Sequence, residues 1–132
     1  MSDSPEWVVR KFLAAWADPK ADDLGEFFAD DAVWVDGPQG VRRGADAIKS
    51  ELAAQLGVFA GATVDVRSLL SDGRTVMAEY VSNFSAGGNP ISSVVMAVFE
   101  LGADGRIRQW REAYDLKSVT DQIEAAGFNV PT

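Results

Sequence analysis

The chain contains neither cysteine nor histidine. Without cysteine there is no disulfide, no thiolate nucleophile and no cysteine-ligated metal. Without histidine, Ser-His-Asp triads, imidazole bases and ordinary zinc sites are excluded as well. Positive charge is scarce: 12 Lys and Arg stand against 20 Asp and Glu, a formal net charge of −8. That balance argues against nucleic acid and anionic membrane as partners, since both need clustered basic residues. No apolar run approaches the ~20 residues of a membrane span. The opening Met-Ser-Asp-Ser-Pro does not read as a secretory signal, so a cytoplasmic address is expected. Phosphate-loop motifs are missing, and Asp30-Asp31 reads better as a solvent-facing pair than as a metal site. Neither metal nor organic cofactor is expected. Acid–base chemistry is left to Asp, Glu, Tyr and Lys.

What is present fits a single domain over residues 1–132, with 47% hydrophobic and 24% charged residues. Ser4-Pro5-Glu6 is a helix start, with Ser as N-cap and Pro at the first helical position. Val8, Phe12, Ala15 and Trp16 follow at helical spacing and predict a helix to about Ala17. A short second helix is expected over Asp22–Phe28, burying Leu24, Phe27 and Phe28, then a strand over Ala32–Asp36 closed by Gly37-Pro38. Ile48, Leu52 and Leu56 predict a third helix, starting after Gly44.

From there the period changes from helical to alternating. Ala62–Ser71, Thr75–Phe84, Ile91–Leu101 and Arg106–Tyr114 read as four strands of an antiparallel meander, separated by Gly-containing turns. Asp115 caps a last helix over Leu116–Ala126, stopped by Gly127. Helices set before a curved sheet give the α+β class. The later strands carry apolar residues on both faces, with Val76, Ala78 and Phe84 on one and Met77 and Val81 on the other. One face packs on the helices, and a homodimer through the sheet is the economical cover for the other.

The last strand holds the most informative residues. Alternation puts Trp110, Glu112 and Tyr114 on one face, with Arg111 and Ala113 on the other. A carboxylate between two aromatics must be solvated, paired or held for chemistry, because an unpaired buried charge costs several kcal/mol. The plain readings are a surface charge or an ion pair with Arg106 or Arg108. The functional one is an acid or base whose pKa is raised by an apolar pocket. Asp36 is either a turn residue before Gly37-Pro38 or a second pocket carboxylate. Tyr80 and Ser82 share a face with Val76, Ala78 and Phe84. They are core residues with satisfied hydroxyls, or hydrogen-bond donors to a substrate oxygen. The tryptophans at 7, 16, 34 and 110 read mostly as core, with Trp34 and Trp110 able to line a flat apolar cavity.

The element order, together with Phe28-Ala29-Asp30-Asp31-Ala32-Val33-Trp34-Val35-Asp36, resembles the cone-shaped α+β barrel superfamily of nuclear transport factor two. Within it the chain resembles three enzymatic branches: ketosteroid isomerase, SnoaL-like polyketide cyclases and limonene epoxide hydrolase. It is most like the hydrolase branch at Val98-Phe99-Glu100-Leu101 and from Gly105 to Leu116. The resemblance implies a role for Asp36, which falls where the isomerases shuttle a proton and the hydrolases orient water with an Asn. It implies another for Glu112, where hydrolases and cyclases have a catalytic Asp. Trp34 replaces a Tyr of the hydrolases. Their Arg-x-Asp motif aligns with Tyr80-Val81-Ser82 and is absent. The isomerase oxyanion pair aligns with Phe12 and Ala97 and is absent too.

The combined expectation is a pocket for a small hydrophobic molecule. Asp36, Glu112 and Tyr80 are its catalytic candidates, and Trp34, Ser82, Trp110, Phe12, Phe84 and Ala97 its substrate-binding ones. Epoxide opening by hydrolysis or cyclisation comes first among reactions, and proton relocation beside a carbonyl second. A non-catalytic ligand carrier and a pure dimerisation module are the rivals. A cavity filled by Trp34, Trp110 and Phe84 would favour the structural reading.

Overall fold

The computed structural model describes residues 4–59 and 61–127. Helix α1 (Pro5–Ala14) begins as its cap predicts, with the Trp7 amide donating to Ser4 Oγ at 3.2 Å. It tightens into a 3₁₀ turn over Ala15–Ala17 instead of running on as α-helix. Helix α2 (Ala21–Gly25) is shorter than expected. Strand β1 (Phe28–Asp36) takes over at Phe28, because the amide of Ile107 bonds the Phe27 carbonyl at 2.8 Å and draws this segment into the sheet. Ladder bonds here override the local helical pattern. The β1–β6 register shifts between Phe28 and Val33, where Asp30 and Asp31 are exposed.

A second 3₁₀ turn (Gly37–Gln39) leads to β2 (Val41–Arg43), a strand too short to show alternation. Helix α3 (Ala45–Leu56) follows. Then come β3 (Ala62–Ser71), β4 (Thr75–Ala86), β5 (Asn89–Leu101) and β6 (Ile107–Tyr114). Helix α4 (Leu116–Ala125) closes the described chain, capped by Asp115, whose Oδ1 accepts from the Ser118 amide at 3.0 Å.

The six strands form one curved, open sheet in the order β2-β1-β6-β5-β4-β3. The β3–β6 meander is antiparallel as its turns require, while β1 joins β6 in parallel. The fold is α+β. Its core centres on Phe12, which is fully buried and edge-packed against five aromatic rings, among them Trp110 with ring centroids 5.0 Å apart. Trp7 departs from the core expectation: on the outer side of α1, it is 52% exposed. On the other sheet face Leu70, Met77, Val94 and Met96 are all exposed. No helix among the described residues is long and apolar enough to cross a membrane.

Candidate active site

Register assembles the site. Along β1 and β6, Trp34 pairs with Trp110 and Asp36 with Glu112. Because side chains alternate along both strands, all four share the sheet's inner face. Phe99 pairs with Trp110 and Ala97 with Glu112 from the other side. Trp34 and Trp110 stack face to face, centroids 4.6 Å apart and planes within 5°, and Phe99 stacks on Trp110 at 5.9 Å. These rings make an apolar floor. The two carboxyls sit one register row further along, and Tyr80 and Tyr114, brought together by way of Val95, form the row after that.

These rows border a cavity of about 210 Å³ lined by Trp34, Asp36, Tyr80, Ser82, Phe84, Trp110 and Glu112 among others. The cavity is open space, not a volume filled by Trp34, Trp110 and Phe84. Two expected lining residues lie elsewhere. Phe12 is sealed in the core behind Trp110, and Ala97 is buried in β5 beside Glu112; neither borders this cavity. Sequence alignment put them there by position, but packing decided which side of the aromatic layer each occupies.

Both oxygens of Glu112 accept hydrogen bonds. Trp34 Nε1–H donates to Oε1 at 2.9 Å, and the Tyr80 hydroxyl to Oε2 at 3.2 Å. An ion pair with Arg108 is not formed, since that guanidinium bonds Asp31 at 2.8 Å. Desolvation, then the adjacent negative charge of Asp36, push the Glu112 carboxyl up to about 8 from 4.5, against the opposing bonds from Trp34 and Tyr80. Asp36 is 3% exposed, the one buried polar or charged residue among those described. Its Oδ1 accepts from the Tyr114 hydroxyl at 3.0 Å and its Oδ2 from Gln55 Nε2–H at 3.0 Å. Burial raises its pKa too, while Tyr114, Gln55 and the nearby Arg42 charge hold it down. Two adjacent buried carboxyls titrate as a pair, and the raised pKa of Glu112 keeps a proton on the pair near neutrality.

The support around Asp36 extends outward. Gln55 also donates to Glu51 at 3.4 Å, and Glu51 pairs with Arg42 at 3.2 Å. Burial raises the Tyr114 hydroxyl well above its ordinary pKa, and that of Tyr80 likewise, so both stay proton donors.

Sequence reading missed Gln55, Tyr114 and Ser93 as site residues. Gln55 follows Leu52 by three and Ile48 by seven, hence on the buried face of α3, which a polar residue rarely occupies without a partner. Tyr114 was legible as sharing Glu112's face. Ser93 carried no signal of its own. Among the described residues no group of three or more carboxylates is placed to hold a metal ion.

A family model for the SnoaL-like domain matches residues 9–110. An LEH-like epoxide hydrolase of M. tuberculosis superposes with a TM-score of 0.78 at 25% identity, over 92% of this chain and 90% of that one. A Catenulispora acidiphila protein with a ketosteroid isomerase-like fold superposes with a TM-score of 0.81 at 23% identity, over 97% and 100%. The epoxide hydrolase/cyclase-like enzyme SalBIII, which takes part in pyran ring formation in salinomycin, gives 0.75 at 18% identity over 86% and 92%. At such identities the last two speak for the fold alone.

Proposed function

Because the chain belongs to the SnoaL-like domain family, we propose that it is a cofactor-independent enzyme that opens an epoxide in a hydrophobic molecule. Its family and structural neighbours include an epoxide hydrolase and a cyclase-like enzyme as well as proteins without an assigned reaction. The observation that carries the reading is the carboxyl pair: Asp36 and Glu112 side by side on an aromatic floor, with one of them protonated near neutral pH.

In the proposed step Asp36 takes a proton from water, or from a hydroxyl of the substrate itself in a cyclisation. The freed oxygen attacks an epoxide carbon and forms the new C–O bond as the ring C–O bond breaks. Glu112 gives its proton to the departing ring oxygen. The proton gained by Asp36 then passes to Glu112 and restores the starting state without a cofactor. Tyr80 can turn its O–H from Glu112 toward the developing alkoxide, since its pKa keeps it protonated. Acid–base assistance of this kind is worth on the order of 10²–10⁴-fold in rate.

The test is turnover of an epoxide panel in ¹⁸O water by wild type, Asp36→Asn and Glu112→Gln. Label in a diol supports hydrolysis, and an unlabelled ring ether supports cyclisation. Undiminished turnover in either variant removes that residue from the mechanism. A second reading is a proton-transfer isomerase, favoured by a second carboxyl, Asp36, beside the protonated Glu112; β,γ-unsaturated ketones in the same panel test it. We also propose that a second copy of the chain covers the exposed apolar face carrying Leu70, Met77, Val94 and Met96.

A further inference from the structure

We propose that Ser82 and Ser93 form a second polar contact in the cavity, holding an oxygen at the far end of an elongated, uncharged substrate. The inference rests on Asp36 and Glu112 marking the reacting end. Ser82 on β4 and Ser93 on β5 are direct register partners, and both line the cavity. Directly opposed residues in a sheet have Cβ atoms about 5 Å apart, so the two hydroxyls can converge on one atom. Among the described residues neither hydroxyl makes a hydrogen bond, although both residues are partly buried. Val64 on β3 is the other register partner of Ser82, Tyr80 and Phe84 flank Ser82 along β4, and Ile91 and Val95 flank Ser93 along β5. A structural serine on an inner strand face would normally bond a nearby carbonyl or side chain. These two instead present donors and acceptors to open space.

The spacing defines the ligand. Ser93 lies four residues along β5 from Ala97, the partner of Glu112, so the serine row is about 13 Å of strand from the carboxyl row at ~3.3 Å per residue. Among the described residues no Lys or Arg lines the cavity, while Asp36, Glu51 and Glu112 do. An anionic tail would meet repulsion from these carboxylates. A hydroxyl or carbonyl oxygen, by contrast, matches a pair of serines in both donor and acceptor capacity. The chemical class is therefore a hydrophobic epoxide bearing a neutral oxygen function at its opposite end.

The experiment uses two matched terminal epoxides, one with a plain alkyl tail and one whose tail ends in a hydroxyl, spaced to reach the serine row. Their kcat/KM ratio is measured in wild type, Ser82→Ala/Ser93→Ala and Ser82→Thr/Ser93→Thr. Binding of the two unreactive diols is followed in parallel by tryptophan fluorescence. Loss of the serines is expected to move the ratio against the hydroxylated probe by about tenfold to a hundredfold, the discrimination a site gains by hydrogen-bonding a substrate hydroxyl in an otherwise apolar pocket. The threonine variant should keep the wild-type preference. A ratio unmoved in the alanine variant, in both kinetics and binding, overturns the inference, and each single alanine variant offers the same reading should the double one fold poorly. Diol binding that shifts as expected with no epoxide turned over by wild type leaves this contact standing and removes only the epoxide-opening proposal.

Discussion

Replacing Glu112 by glutamine is expected to make the protein more stable at alkaline pH while removing its turnover. The carboxyl moves from 4.5 in the unfolded chain to about 8 in the folded one. A group whose folded pKa is raised holds its proton longer in the folded state, so unfolding stability falls as pH rises from about 4.5 to about 8 and then levels off. At about 1.4 kcal/mol per tenfold change in equilibrium, the full cost is about 5 kcal/mol. Asp36 is shifted in the same direction and adds to the slope.

Glutamine cannot ionise, which removes the Glu112 share. Its carbonyl can still accept from Trp34, and its amide can donate to the Tyr80 oxygen, so the two bonds seen at Glu112 have replacements. Lost hydrogen-bond quality should cost about 1 kcal/mol. Urea unfolding followed by circular dichroism between pH 5 and 9 measures the balance. The two proteins should lie within about 1 kcal/mol at pH 5, and the variant should lead by several kcal/mol at pH 8.5. A wild-type stability that is flat or rising from pH 5 to 8, or a gap that does not open, would refute the buried-dyad argument. The same proton governs rate: kcat/KM should decline above about pH 8, as Glu112 loses its acid form.

Gly37 has a positive φ of 50°, and an added Cβ would stand 2.7 Å from Cε1 of Tyr114. Gly37→Ala should therefore cost about 1–3 kcal/mol in thermal unfolding. It should also displace the Tyr114 hydroxyl from Asp36; with that donor gone Asp36 titrates higher, so the acid limb of the kcat/KM profile moves to higher pH. Tyr114→Phe should reproduce the pH effect without the backbone strain, and an unmoved acid limb in that variant would sever Tyr114 from the dyad. For the proposed dimer, Met77→Lys/Met96→Lys puts two charges into the exposed apolar face, and sedimentation should report monomer where the wild type gives dimer; a wild-type monomer sinks the proposal.

The sequence by itself determined the α+β class, the β3–β6 meander and the helix caps at Ser4 and Asp115, because turns, caps and alternation are written in neighbouring residues. It also put Trp110, Glu112 and Tyr114 on one strand face and named Asp36, at the end of another strand, as a second pocket carboxylate. Tertiary structure decided that Trp34 and Asp36 join that face. The parallel β1–β6 pairing joins segments 76 residues apart and brings the carboxyls side by side, and no local pattern encodes which strand a strand will choose. The start of β1 at Phe28, the short β2 and the sealing of Phe12 behind Trp110 follow from ladder bonds and packing in the same way. The pKa of Glu112 is the clearest case: its cause is desolvation and a neighbouring charge, and both exist only once the chain has closed around them.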